Sequence, residues 1–528
     1  MSFDVIIIGG GINGAGIARD AACRGMRVCL VEQGDFCNAT SRWSSRLIHG
    51  GLRYLEFAEF SLVFESLRER EILLRTAPHL VRPLPLVIPV YRGGRRGRAT
   101  IRAGMWLYDL LSAGKSLPRH RMLDVAGAVA ALPGLQTETL RGAASYFDAQ
   151  VVFPERLVLE NLLDAQQAGA QLRAWTRAER IQVDGGRVIG VEVRDLRDGA
   201  VSRLAAPLVV NATGPWVDQL VGSLPGRRLR RFIGGSRGTH IVVDALPGLG
   251  ASACYAEAGA DGRPFFVLPW NGMTLIGTTD VAFDGDPARV AADPGEIDYL
   301  LAETSRLFPA AALDRARIRY CYVGVRPLPA VAAAEQAAIT RRHLIRHHRT
   351  VARGLYSVIG GKLTTYRSLA EQVVNRLARK VPGSLRSCDT ARRPLPGALA
   401  DPVPLAAELC GRAGLSAATA ARLTGLYGTR AAAVAALAAK TPALAAEICP
   451  RSHALAAEIV FAFEDELATT LADCLMRRTM LGLGADLGTA VLPAALAIVR
   501  QHLGWSDARA VAEERHYRDE IARLQVPG

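Results

Sequence analysis

Lysine is almost missing. Of 64 basic residues only Lys115, Lys362, Lys380 and Lys440 are lysine, so a lysine inside a motif stands out. Cysteine is sparse and scattered, and its nine residues form no C-x-x-C pair. That argues against a zinc ribbon or a cysteine-ligated iron–sulfur run, and it reads as buried free thiols in a reducing compartment. No metal site is expected, because His347-His348 has no matching carboxylate or cysteine spacing. No apolar run reaches the ~20 residues needed to span a bilayer. The Ala-rich stretch 431–450 comes nearest and is broken by Lys440. No positively charged leader with an apolar core and cleavage site opens the chain, so none is expected.

What is present is the balance of a folded protein: 528 residues, 50% hydrophobic and 22% charged. That length corresponds to roughly three domains. The net charge of +14 favours anionic partners such as phosphates or acidic lipid. Nucleic acid is not an expected partner, since no recognisable nucleic-acid motif accompanies the charge.

Asp4–Ile8 reads as a buried strand and Gly9-Gly10-Gly11-Ile12-Asn13-Gly14 as a turn. A helix from about 15 to 24 and a strand at Val28–Glu32 complete a β–α–β unit. Further helices are predicted near Phe60–Arg75 and Pro154–Ala168. Pro83, Pro85 and Pro89 predict an extended edge segment. Strand signals follow at Arg187–Arg194, Leu208–Asn211, His240–Val243, Phe265–Leu268, Thr274–Gly277 and within Val351–Ile359. Beyond about residue 385 the texture turns Ala- and Leu-rich with helical periodicity.

Gly9, Gly11 and Gly14 fit G-x-G-x-x-G between a strand and a helix, the setting in which a pyrophosphate approaches the backbone and the helix N-terminus. Glu32 lies 18 residues beyond Gly14, where a carboxylate accepts from ribose hydroxyls and repels a 2′-phosphate. The fingerprint alone does not separate NAD from FAD. FAD is favoured because there is one good fingerprint and because Ala212-Thr213-Gly214 ends a second apolar strand.

The segments Ala39-Thr40-Ser41, Ser44 to Glu56 (SSRLIHGGLRYLE), Asn211 to Val217, Gly277-Thr278-Thr279-Asp280, Gly324 to Leu328, Gly360 to Arg367 and Asp473 to Thr479 follow in order. Together they resemble the FAD-dependent glycerol-3-phosphate dehydrogenase family, within the glycine oxidase/D-amino-acid oxidase group of flavoproteins. The resemblance spans residues 4 to about 479. It implies an α/β fold: a Rossmann-like FAD-binding domain (1–75, 148–230 and 350–385), an inserted antiparallel-sheet substrate domain (76–147 and 231–349) and a C-terminal helical domain (386–528). It also implies oxidation of sn-glycerol 3-phosphate to dihydroxyacetone phosphate, with electrons passed to a membrane quinone, ubiquinone. Oxygen as acceptor, giving an oxidase, is the alternative, and a catalytically silent membrane-associated flavoprotein is a distant one.

That chemistry needs phosphate-binding cations, a proton acceptor and donors to the flavin. Arg53, Arg326 and Arg341 are the expected phosphate clamps, with Arg342 able to exchange roles with Arg341. His49 or His240 is the proton acceptor, with the choice open. Tyr54 orients substrate, and Lys362 donates to substrate or stabilises the reduced cofactor. Thr40, Ser44, Ser45, Leu47, Gly214, Gly361, Thr364 and Thr365 are expected at the cofactor beside Gly9, Gly11, Gly14 and Glu32. The segment Arg95 to Leu111 mixes arginines with Trp106, Tyr108 and aliphatics. It reads either as an interfacial helix on anionic lipid or as a core helix. Arg227 to Arg231 is a second basic cluster, for lipid or for solvent. The family suggests a homodimer attached peripherally to the cytoplasmic face of the cell membrane.

Overall fold

The computed structural model describes residues 2–224, 231–330 and 342–527. Arg341 and most of the Arg227 to Arg231 cluster lie outside the described residues.

Val5–Ile8 (β1) is a fully buried β-branched strand, as its sequence demands. It runs parallel to Val28–Val31 (β2) on one side and Leu208–Asn211 on the other. The six-stranded sheet is completed by Leu355–Ile359, Leu344–His347 and Gln171–Arg173. All its pairings are parallel except that between Leu344–His347 and Leu355–Ile359. The helix Ile12–Cys23 (α1) packs on this sheet with Pro154–Gln167 and Tyr366–Ala378. It starts three residues before the expected 15, because Gly14 is already helical. Propensity penalises glycine in a helix, and here close packing overrides it. A three-stranded antiparallel ribbon joins Thr176–Asp184, Arg187–Asp195 and Val201–Ala205.

The second large unit is a ten-stranded sheet in which all pairings but one are antiparallel. It draws on Leu47–Ile48 (β3), Val81–Tyr91, Leu140–Val151 and the strands between Ile233 and Pro329. The proline-rich strand is not an edge. Val81–Tyr91 pairs with Leu140–Val151 on one side and, in parallel, with Ala253–Glu257 on the other. That second contact involves only Leu86 and Val87, so the ladder needs no N–H from Pro83, Pro85 or Pro89 there. Phe60–Thr76 (α2) and Arg98–Leu111 (α3) pack beside this sheet. On α3, Met105 and Tyr108 are buried while Trp106 and Leu110 are exposed.

After residue 400 the chain is mostly helical, with Val403–Ala413, Ala417–Tyr427, Ala431–Lys440, Ala456–Glu464, Leu492–Leu503 and Asp507–Ala522, and one short hairpin of Glu447–Cys449 and Ala454–Leu455. These helices share one apolar core with the large sheet. Among the described residues no helix is long and apolar enough to cross a membrane.

Candidate active site

The glycine turn sits at the C-terminal end of β1. Gly9 has φ +109°, and a Cβ there would lie 2.6 Å from the Ala212 carbonyl oxygen. A Cβ on Gly14 would lie 1.8 Å from the Gly9 oxygen, so helix and strand close up only without side chains. Gly11 is the N-cap of α1. The Glu32 carboxylate braces this turn, accepting from Gly10 N at 2.6 Å and Gly34 N at 3.0 Å. Burial pushes its pKa up. Ser41, overlooked by sequence reasoning, accepts from Ile12 N at 3.0 Å and so satisfies a first-turn donor.

The geometry fits a dinucleotide. Beside the turn, the buried Oδ1 of Asn13 has no hydrogen-bond partner among the described residues, while its Nδ2 donates to the Gly360 carbonyl at 3.3 Å. Gly214 opens a 3-10 turn with open space where a side chain would be, and Gly361 lies against Asn13. An acceptor left over in a glycine-walled cradle suits the donors of a bound FAD.

Other expected residues have local partners. Thr40 Oγ1 donates to the Val325 carbonyl at 2.7 Å, tying its loop to the strand that carries Arg326. Ser44 serves its own turn, donating to Ser41 O and accepting from Arg46 N. Leu47 is buried on β3. Thr365 is buried at the N-cap of Tyr366–Ala378.

The remaining residues meet around the segment from Ser45 to Tyr54. Ser45 Oγ lies 2.9 Å from His240 Nε2. The His240 ring stacks on Tyr322. Burial, together with the guanidiniums of Arg326 and Arg46, holds His240 well below the ordinary histidine range, so it is neutral. On the other side of β3, His49 N donates to Thr364 Oγ1 at 3.2 Å. The His49 ring meets Phe266 edge-on at 6.4 Å. Phe266 and His240 both pair with Gly277, from opposite neighbouring strands. Lys362 Nζ lies 3.6 Å from the Tyr54 ring centroid, close enough for a cation–π contact. Arg53 follows Leu52 in a 3-10 turn, Leu52–Phe57.

Arg326 is firmly oriented. Its Nη1 reaches Ser236 Oγ at 3.1 Å and Asp280 Oδ1 at 3.2 Å, and its Nη2 reaches Thr278 Oγ1 at 2.9 Å. A side chain at Gly238 would collide with this guanidinium. A fork held this way is preorganised for an anion, with one carboxylate already moderating its charge.

Two supports were not legible in sequence. Gly50 N donates to Tyr108 Oη at 3.1 Å and Asp148 Oδ1 at 3.2 Å, and Asp148 also pairs with Arg70. Asp35, three residues past Glu32, is fully buried between Arg477 and Arg478 at 2.6 and 2.7 Å. These arginines sit on a π-helical turn, Cys474–Arg478. The helical tail thereby grips the loop behind the cofactor turn.

Comparison with known proteins agrees with this geometry. Residues 4–367 match the family model described as FAD dependent oxidoreductase, and residues 388–510 match the C-terminal domain of alpha-glycerophosphate oxidase. A glycerol-3-phosphate dehydrogenase of Synechocystis is 43% identical, covering 100% of this chain and 97% of that protein. Glycerol-3-phosphate dehydrogenase 2 of Mycobacterium tuberculosis is 37% identical, covering 99% and 88%. The crystal structure of a glycerol-3-phosphate dehydrogenase from Bacillus halodurans complexed with FAD is similar over 100% of this chain and 97% of that one. Its TM-score is 0.80 at 28% identity. The chain therefore belongs to the FAD-dependent glycerol-3-phosphate dehydrogenase family.

Proposed function

We propose that this protein oxidises sn-glycerol 3-phosphate to dihydroxyacetone phosphate and passes the electrons to a membrane quinone, ubiquinone. The observation that carries the reading is the cluster around residues 45–54. Ser45 there meets His240, His49 is held by Thr364 and Tyr54 meets Lys362, while the Arg326 fork is fixed by Ser236, Thr278 and Asp280.

Gly9, Gly11, Gly14, Glu32, Thr40, Ser44, Ser45, Leu47, Gly214, Gly361, Thr364 and Thr365 would hold FAD. Bound FAD supplies the two-electron acceptor. Arg326 and Arg53 hold the substrate phosphate, a dianion that suits two guanidiniums. Tyr54 and Lys362 orient the glycerol hydroxyls. The C2 hydroxyl proton goes to His49. The burial that keeps His240 neutral also opposes its taking a proton, so His240 acts as a hydrogen-bonding partner through Ser45. Residues 1–75, 148–230 and 350–385 form the cofactor unit in this reading, and 76–147 with 231–349 the substrate unit. The enzyme acts as a homodimer attached peripherally to the inner face of the cell membrane.

Steady-state turnover with glycerol 3-phosphate, product identified as dihydroxyacetone phosphate, tests the reading with a ubiquinone analogue, a soluble dye or oxygen as acceptor. Turnover with quinone and dye but little hydrogen peroxide supports it. Fast peroxide formation moves the assignment to an oxidase. No turnover with any acceptor removes the substrate assignment.

A further inference from the structure

We propose that Glu296 is a positioning residue for the substrate phosphate. From the back of the large sheet it fixes the loop that holds the Arg326 fork, and it thereby sets the preference for a phosphorylated alcohol. The loop is Thr278-Thr279-Asp280. Arg326 donates to Thr278 Oγ1 at 2.9 Å, to the Thr279 carbonyl at 3.1 Å and to Asp280 Oδ1 at 3.2 Å. The place of the guanidinium therefore follows the place of the loop.

Strand alternation puts Glu296 on the far side from the fork. On the strand Ile233–Asp244, Ser236 stands directly opposite Arg326 of Ile318–Pro329, and the two side chains meet at 3.1 Å. Successive side chains on a strand point to opposite faces, so Arg237 and Thr239 point away from the fork. The helix Pro294–Leu307 covers that second face, with Ile297 and Leu300 sharing a core with Ile241. Glu296 lies in its first turn, where a helix favours negative charge. Asp293 caps the helix, accepting from Gly295 N at 2.9 Å, and the Glu296 carboxylate turns to the sheet.

The two carboxylate oxygens join the loop to the strand. Oε1 accepts from Thr279 Oγ1 at 2.7 Å, and Oε2 accepts from Thr239 Oγ1 at 3.0 Å. Thr279 Oγ1 in turn accepts from Thr239 N at 2.8 Å, so that hydroxyl is used in both directions. Arg237 Nε lies 3.1 Å from Glu296 Oε2, and its Nη2 lies 3.3 Å from Asp293 Oδ2. Glu296, Thr239 and Thr279 are all buried, so water is a poor substitute for any of these contacts. Glutamine has the same shape but only one accepting end. Whichever way it turns, its NH2 group meets either Arg237 Nε or a Thr279 hydroxyl that already accepts a hydrogen bond. The loop then shifts, and the fork shifts with it.

This inference rests on the reading that Arg326 holds the substrate phosphate. The test is steady-state kinetics of the FAD-loaded enzyme with glycerol 3-phosphate and a soluble dye. Glu296→Gln is expected to raise KM for glycerol 3-phosphate about tenfold and to leave kcat within about twofold of wild type. In an Arg326→Gln background the same change should add less than about twofold, because both changes act on one contact. Thr279→Val removes one hydroxyl of the same link and should also raise KM, whereas Thr279→Ser keeps that hydroxyl and should restore it. A wild-type KM in Glu296→Gln, with Arg326→Gln impaired, overturns the inference alone. A tenfold loss in both backgrounds also overturns it, because Glu296 would then act independently of the fork. If Glu296→Gln fails to retain FAD, the Thr279 pair decides: equal KM values for valine and serine overturn the inference. A wild-type KM in Arg326→Gln would defeat the phosphate reading itself, and this inference with it.

Discussion

Replacing Gly50 by alanine tests how the turn carrying His49, Arg53 and Tyr54 is held. A Cβ at Gly50 would lie 2.3 Å from Tyr108 Oη and 2.6 Å from Leu67 Cδ2, both buried. Tyr108 has little room to retreat, because its hydroxyl also donates to Asp148 at 2.8 Å. Overpacking of this kind costs about 1–3 kcal/mol. The least costly relief is for the turn to move, and that turn carries His49, Arg53 and Tyr54. A displacement of ~1 Å costs a reaction about 100-fold. Gly50→Ala should therefore lower kcat/KM for glycerol 3-phosphate by about that factor while FAD remains bound. Gly104→Ala is the control: its Cβ would meet open space in α3, so stability should stay level or rise by up to about 1 kcal/mol. Steady-state kinetics and denaturant unfolding read both variants. A Gly50→Ala enzyme with wild-type kcat/KM would refute the claim that this contact positions the site.

The other predictions concern charge. Arg326→Gln should raise KM for glycerol 3-phosphate steeply, because a charged hydrogen bond is worth about 1.5–3 kcal/mol and the fork makes more than one; a KM close to wild type would remove Arg326 from the phosphate site. His49→Asn should lower kcat about 100-fold or more, whereas His240→Asn should cost less, and the reverse order would transfer the proton to His240. His348, buried against Ser357, is held at about 4 by burial first, and then by Arg346 and His347. Its folded pKa is below the unfolded value of 6.5, so the unfolded state binds the proton first and stability falls as pH drops from 6.5 towards 4. The loss approaches about 3 kcal/mol, and His348→Gln should flatten that slope in urea titrations across the same range. Asp35→Asn leaves Arg477 and Arg478 short of charge in a buried site and should cost about 3–5 kcal/mol, with FAD released earlier on heating; unchanged FAD retention would sever the helical tail from cofactor binding.

What the sequence makes legible here is local. The glycine turn follows from a β-branched run, glycines where the chain must close up, and a carboxylate at the next strand end. All of these lie within 32 residues. The helical tail shows in its periodicity. What stays hidden is long-range pairing. Ser45 meets His240 across 195 positions and Arg477 meets Asp35 across 442, and no local pattern marks either. The proline-rich strand reads as an edge because proline has no N–H to give a ladder; it sits inside the sheet because its second partner pairs only at Leu86 and Val87. Segment Arg95 to Leu111 gives a divided reading because α3 has two faces: Met105 and Tyr108 are buried, while Trp106 and Leu110 are exposed.

In the proposed reaction glycerol 3-phosphate delivers electrons to the flavin and a quinone removes them. The direct measurement is anaerobic titration of the yellow enzyme with glycerol 3-phosphate, followed by mixing with a ubiquinone analogue or with oxygen. Stoichiometric loss of the oxidised-flavin absorbance and rapid recovery with quinone alone is the predicted result. Flavin that stays oxidised in the presence of excess glycerol 3-phosphate would contradict it.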